Sequence, residues 1–219
     1  MKGLALDGGG VFGVGQAAIL SKVDDLSKFE FLAGTSIGAV NCAVVATDYP
    51  ISKLVAFYKE TMPKIFRGYW WRRFQPITPR HPDKQLNRAL KSMFPGRFGD
   101  AKVPLFVTSA DLNERKLKVF FSGSAEDGAR PMWEVLRMAV AAETYFQPWK
   151  GMGDGGIYAN NPSMVAIAGV RDRFDVPLAD VELCSIGTGQ KTTNENVGST
   201  KGWTYFRWGM YVTRALLEA

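Results

Sequence analysis

The chain has 219 residues, 46% of them hydrophobic and 22% charged, with a net charge of +6 and a pI near 9.3. That composition excludes a disordered chain and suits one α/β domain with a sizeable core. Two cysteines and one histidine exclude a disulfide scaffold and a metal site built on His and Cys spacing, and no apolar run is long enough to span a bilayer.

The N-terminus carries Asp7 and a glycine run where a signal peptide would need a sustained apolar stretch, so a cytoplasmic protein is expected. Cys42 and Cys184 fall in apolar segments and are expected to be buried, reduced thiols. In chain order, residues Lys2 to Leu6 read as a strand running into Asp7-Gly8-Gly9-Gly10-Val11-Phe12-Gly13, which opens a helix-like segment through about Ser27. Three consecutive glycines before a helix present bare N–H groups, which fits an oxyanion hole or a phosphate cradle. Gly8-x-Gly10-x-x-Gly13 also fits a dinucleotide fingerprint, but the second strand then lacks the terminal acidic residue that would hold a ribose.

That second strand, Phe29 to Ala33, leads into Gly34-Thr35-Ser36-Ile37-Gly38, which has the form of a nucleophile elbow. The apolar run from Ile37 to Ala46 reads as a buried helix, which puts Ser36 at a helix N-terminus where free N–H groups favour negative charge. Alone, such a short string is also compatible with a plain tight turn. Helical patterns follow over 51–65 and 82–94. Between them, Lys64 to Phe74 mixes cations with aromatics. Tyr69, Trp70, Trp71, Arg72 and Arg73 suit docking at the headgroup level of an anionic membrane, and equally suit rings that cover a core beneath solvated arginines. No recognisable nucleic-acid module accompanies the positive charge, and no nucleic-acid partner is expected.

Residues 105–110 and 117–121 flank a short polar link and read as a hairpin, Pro131 opens a helix to about Ala142, and Asn161-Pro162 caps a helix to about Arg173. A buried strand is expected over 181–186 and a last helix over 203–218. Alternating strands and helices indicate a single domain with a three-layer α/β/α fold and a mainly parallel central sheet, the hairpin adding mixed pairing. In such sheets functional sites gather at the carboxyl ends of the strands.

A nucleophilic serine needs a proton acceptor. The sole histidine, His81, precedes a proline and has no histidine after it, so the Ser, acid, His order of an α/β-hydrolase triad cannot be completed. Asp154, in Asp154-Gly155-Gly156, can serve instead, although such a triplet by itself is ordinarily a turn.

The three elements, with Thr144-Tyr145-Phe146-Gln147-Pro148, Ala159-Asn160-Asn161-Pro162 and Ser185-Ile186-Gly187-Thr188-Gly189, resemble the patatin-like phospholipase family in kind and order over most of the chain. The resemblance implies a lipid acyl hydrolase with a Ser-Asp dyad. Ser36 would be the nucleophile, Asp154 the base, and the Gly8, Gly9, Gly10 and Ile37 amides the oxyanion hole. It implies a phospholipid or other acyl-lipid substrate met at a membrane surface, no cofactor, and family chains that commonly continue further than Ala219. Phe12 departs from the family pattern, which usually has arginine there. A lipid-binding module that keeps the fold without the activity is therefore the second reading.

Overall fold

The computed structural model describes residues 1–47, 49–66, 83–142 and 145–189. Among the described residues six strands form one sheet: β1 (Lys2–Leu6), β2 (Phe31–Thr35), β3 (Leu105–Asp111), β4 (Lys116–Phe121), β5 (Met152–Asp154) and β6 (Glu182–Ile186). Their order is β4-β3-β2-β1-β6, with β5 also paired to β3. The β6-β1-β2-β3 core is parallel, and β4 and β5 run antiparallel to β3.

The helices are α1 (Gly13–Leu20), α2 (Ile37–Ala46), α3 (Ile51–Ala56), α4 (Met62–Ile65), α5 (Asp83–Met93), α6 (Ala125–Gly128), α7 (Met132–Ala139), α8 (Gly156–Ala159) and α9 (Ser163–Phe174). Strand alternation sorts the core into two faces. Leu4, Leu6, Leu32, Leu105 and Val107 pack with α1, α2 and α7, whereas Phe31, Ala33 and Phe106 pack with Ala166 and Val170 of α9. The result is the three-layer α/β/α arrangement expected. None of the described helices is long and apolar enough to cross a membrane.

Several boundaries differ from the sequence expectation for identifiable reasons. The helix after the glycine loop stops at Leu20, and Ser21 turns its hydroxyl back to the Ala18 carbonyl at 2.7 Å. The helical pattern over 51–65 is broken by a π segment, Phe57–Thr61, closed by Met62 N–H donating to the Phe57 carbonyl. Pro63 follows at once; its ring would collide with the carbonyl four residues back in a regular helix, and widening the turn relieves that. The helix expected from Asn161-Pro162 begins one residue later, with Asn161 Oδ1 accepting from Ser163 N–H at 2.9 Å. The strand expected to be buried over 181–186 is instead the sheet's edge among the described residues, and it is only partly covered there. Cys184 is consequently exposed, while Cys42 is buried as expected. The helix expected over 203–218 lies outside the described residues.

Candidate active site

The two candidate catalytic residues are 118 positions apart, and β3 brings them together. Along one edge of β3, Leu105 to Thr108 pair with Leu32 to Thr35 of β2. The next residue, Ser109, pairs with Asp154 of β5, which takes over the same edge where β2 leaves it. Thr35 and Asp154 thus occupy successive registers on a single strand, and Ser36 emerges beside the carboxylate. The junction is bonded: the Thr35 and Thr108 hydroxyls meet at 2.7 Å, Thr35 Oγ1 donates to the Ala159 carbonyl at 2.6 Å, and Ser109 Oγ donates to the Gly153 carbonyl at 2.8 Å.

Ser36 has φ 52° and ψ −124°, a left-handed conformation rare for a residue with a Cβ. The flanking glycines make it possible. A Cβ on Gly34 would lie 2.4 Å from Ala39 Cα, and one on Gly38 would lie 2.1 Å from the Leu6 carbonyl oxygen, so the turn packs backbone on backbone at both positions. Ser36 caps α2 and is 8% exposed; Asp154 is fully buried. Ser36 Oγ–H donates to Asp154 Oδ2 at 2.5 Å, and Asp154 Oδ1 accepts from Gly156 N–H at 2.8 Å. The second bond fixes the plane of the carboxylate and aims Oδ2 at the serine.

The glycine loop lies against this pair. A Cβ on Gly8 would meet Ser36 Cβ at 3.3 Å and Asn160 Oδ1 at 2.3 Å. Gly9 and Gly10 have φ of 157° and 57°. Of the four amides expected as oxyanion donors, that of Gly8 is engaged, donating to the Asn160 carbonyl at 3.0 Å. Thr188 Oγ1 donates to the Gly8 carbonyl at 3.0 Å and braces the loop from beyond β6. Asp7, at the loop's start, is partly buried, which holds its carboxyl above the usual range, partly offset by Asn161 Nδ2–H donating at 3.4 Å. Phe12 stands 48% exposed on the loop's 3₁₀ turn, Gly10–Phe12, beside exposed Val11.

His81 and the membrane-docking candidates Tyr69, Trp70, Trp71, Arg72 and Arg73 lie outside the described residues. Sequence reasoning passed over Thr35, Thr108 and Ser109, which bond the β2, β3 and β5 junction. Their signal was faint: hydroxyl residues in otherwise apolar strands.

The model of the family described as Patatin-like phospholipase matches residues 4–167, a span that takes in the glycine loop, Ser36 and Asp154. The chain belongs to this family. It is 24% identical over 224 residues to the cGAMP-activated phospholipase of Vibrio cholerae, covering 84% of this chain and 63% of that protein. It is 29% identical over 180 residues to the intracellular phospholipase A2 of Caenorhabditis elegans, covering 74% of this chain but 16% of that one. The patatin-like chain thus spans under two thirds of these relatives. Among solved structures, VipD from Legionella pneumophila superposes with a TM-score of 0.58 at 14% identity, covering 90% of this chain and 51% of that one, a likeness of fold.

Proposed function

We propose that this patatin-like chain is a serine-dependent lipid acyl hydrolase of phospholipase A type, with Ser36 as nucleophile and Asp154 as its base. The observation that carries the reading is the 2.5 Å bond from Ser36 Oγ–H to a buried carboxylate with a second oxygen already anchored. A carboxylate removed from water and aligned on one hydroxyl is placed to take its proton as Oγ attacks an ester carbonyl. The oxyanion that forms is received by the Gly9, Gly10 and Ile37 amides, the last at the N-terminus of α2, where the helix dipole adds to the hydrogen bonds.

As the carbon–oxygen bond to the leaving alcohol breaks, Asp154 passes its proton to that alcohol. Water then attacks the acyl-serine, Asp154 accepts the water's proton, the acyl–Oγ bond breaks, and the proton returns to Ser36 as the fatty acid leaves. Family membership and the relatives named above support an acyl ester of a phospholipid as substrate, and the cationic, aromatic composition of 64–74 supports contact with an anionic membrane surface.

The test is fluorophosphonate labelling together with fatty-acid release from phospholipid vesicles. Wild type labels and releases fatty acid, and Ser36→Ala does neither while staying folded. A wild-type protein that binds vesicles but neither labels nor hydrolyses is the lipid-binding module, and the hydrolase reading is then wrong.

A further inference from the structure

Behind the glycine loop runs a set of side-chain bonds that the chemistry above does not use. Gln16 of α1 and Asn41 of α2 are fully buried, and Tyr58 of the π segment is 6% exposed. Tyr58 O–H donates to Asn41 Oδ1 at 2.9 Å. Asn41 Nδ2 donates to the Gly13 carbonyl at 3.1 Å and to Gln16 Oε1 at 2.9 Å. Gln16 Nε2 donates to the carbonyls of Asp7 at 3.0 Å and Ile186 at 2.9 Å. Every side-chain donor in the set is engaged, and all members are neutral; burial raises the Tyr58 hydroxyl above its ordinary range and keeps it a donor.

Two of the accepting carbonyls, those of Asp7 and Gly13, are the two ends of the segment that carries the Gly9 and Gly10 amides. Asn41 stands on the helix that begins one residue after the nucleophile. We infer that Gln16, Asn41 and Tyr58 are positioning residues that tie both ends of the oxyanion loop to the helix bearing Ser36. The inference rests on the hydrolase reading above.

Energetics favour this role over packing alone. Three glycines in a row leave the loop more backbone freedom to lose than any other residues would, so its shape must be imposed from outside. A satisfied polar network adds little net stability over apolar side chains of the same shape, but it is directional and selects one arrangement. The site is also tight: a Cβ on Gly13 would lie 2.5 Å from the Tyr58 hydroxyl oxygen. A displacement of about 1 Å in catalytic geometry can cost about 100-fold in rate.

The test uses Asn41→Leu, Gln16→Leu and the milder Tyr58→Phe, each compared with wild type on phosphatidylglycerol vesicles and by amide exchange of a peptide covering 7–13. The expected result is a kcat about 100-fold lower for the two leucine variants and about 3- to 10-fold lower for Tyr58→Phe, with KM within about twofold. Exchange at Gly8, Phe12 and Gly13, whose amides donate to the Asn160, Gly9 and Gly10 carbonyls, should rise about tenfold in the leucine variants. A purely structural role would lower the melting temperature and leave kcat per folded molecule unchanged, and that result overturns the inference. If the leucine variants do not fold, Tyr58→Phe decides on the same criteria. A wild type without hydrolysis or label sinks the hydrolase reading, and loop exchange still judges the ties: protection unchanged in folded variants refutes them.

Discussion

Replacing Asp154 by asparagine separates the carboxylate's chemical role from its shape. Oδ1 accepts from Gly156 N–H at 2.8 Å, and this bond decides how an amide would sit. A nitrogen placed there would face another donor, so the amide oxygen stays toward Gly156 and the NH2 group turns toward Ser36 Oγ. The acceptor 2.5 Å from the serine is thereby exchanged for a donor. Removing a general base costs about 10²- to 10⁴-fold in rate, which corresponds to about 3–5 kcal/mol of activation free energy. Stability should behave differently. Two charge-assisted bonds become neutral ones, a loss of about 1 kcal/mol each, while a fully buried charge and its desolvation cost of several kcal/mol are removed. Asp154→Asn is therefore expected to melt at or above the wild-type temperature while losing at least 99% of kcat, to order of magnitude. Fatty-acid release from vesicles and differential scanning calorimetry on the same preparation give both numbers. A folded Asp154→Asn protein that keeps more than about a tenth of wild-type kcat would refute the assignment of the base.

Gly38→Ala places a Cβ against the Leu6 and Asp7 carbonyl oxygens at 2.1 and 2.6 Å, and since both are backbone the end of α2 must move. A loss of about 1–3 kcal/mol in urea unfolding is expected, with reduced labelling of Ser36; an unchanged midpoint would contradict the close approach. Phe12→Arg, which restores the family's usual residue on an exposed turn, should change stability by less than about 0.5 kcal/mol, and a larger loss would show that the ring is packed. Asp7 has its carboxyl raised by burial, so the folded state holds its proton to higher pH than the unfolded chain does. Its ionisation therefore costs stability as pH rises through and above the usual carboxylate range, and none well below it. Asp7→Asn should raise the melting temperature near neutral pH relative to wild type, with the difference shrinking in acid; a difference that grows on acidification would reverse the sign assigned here.

Much of the fold could be read from the chain because periodicity and local geometry coincide there. The Ile37 to Ala46 run is apolar apart from Asn41 and is α2 to the residue, and the Leu105 to Phe121 hairpin has its polar link where the strands turn. Ser36 was legible because the turn it occupies demands glycine on both sides. The meeting of Ser36 with Asp154 was not, since β5 has three residues and is a strand only because β3 offers an unpaired edge past the end of β2. The polar set behind the loop was equally hidden. Asn41 is the one amide in an apolar helix, and its side-chain partners lie 25 and 17 residues away, a separation that no local pattern encodes. Exposure of Cys184 follows from strand order, which an apolar run alone does not reveal.

The edge of β3 acts as a ruler on which Ser36 and Asp154 are adjacent marks. Their separation is therefore independent of the contour length of the chain between them, so long as β3 stays in register with β2 and β5. Insertions or deletions between α2 and β3, or between α7 and β5, can reshape what surrounds Ser36 and Asp154 without changing the distance between their side chains. In the hydrolase proposed above, such a layout would let the surroundings of the pair vary in length and composition while Ser36 and Asp154 hold still, and a single-residue slip of β3 against β5 would turn Asp154 to the opposite face of the sheet, away from Ser36.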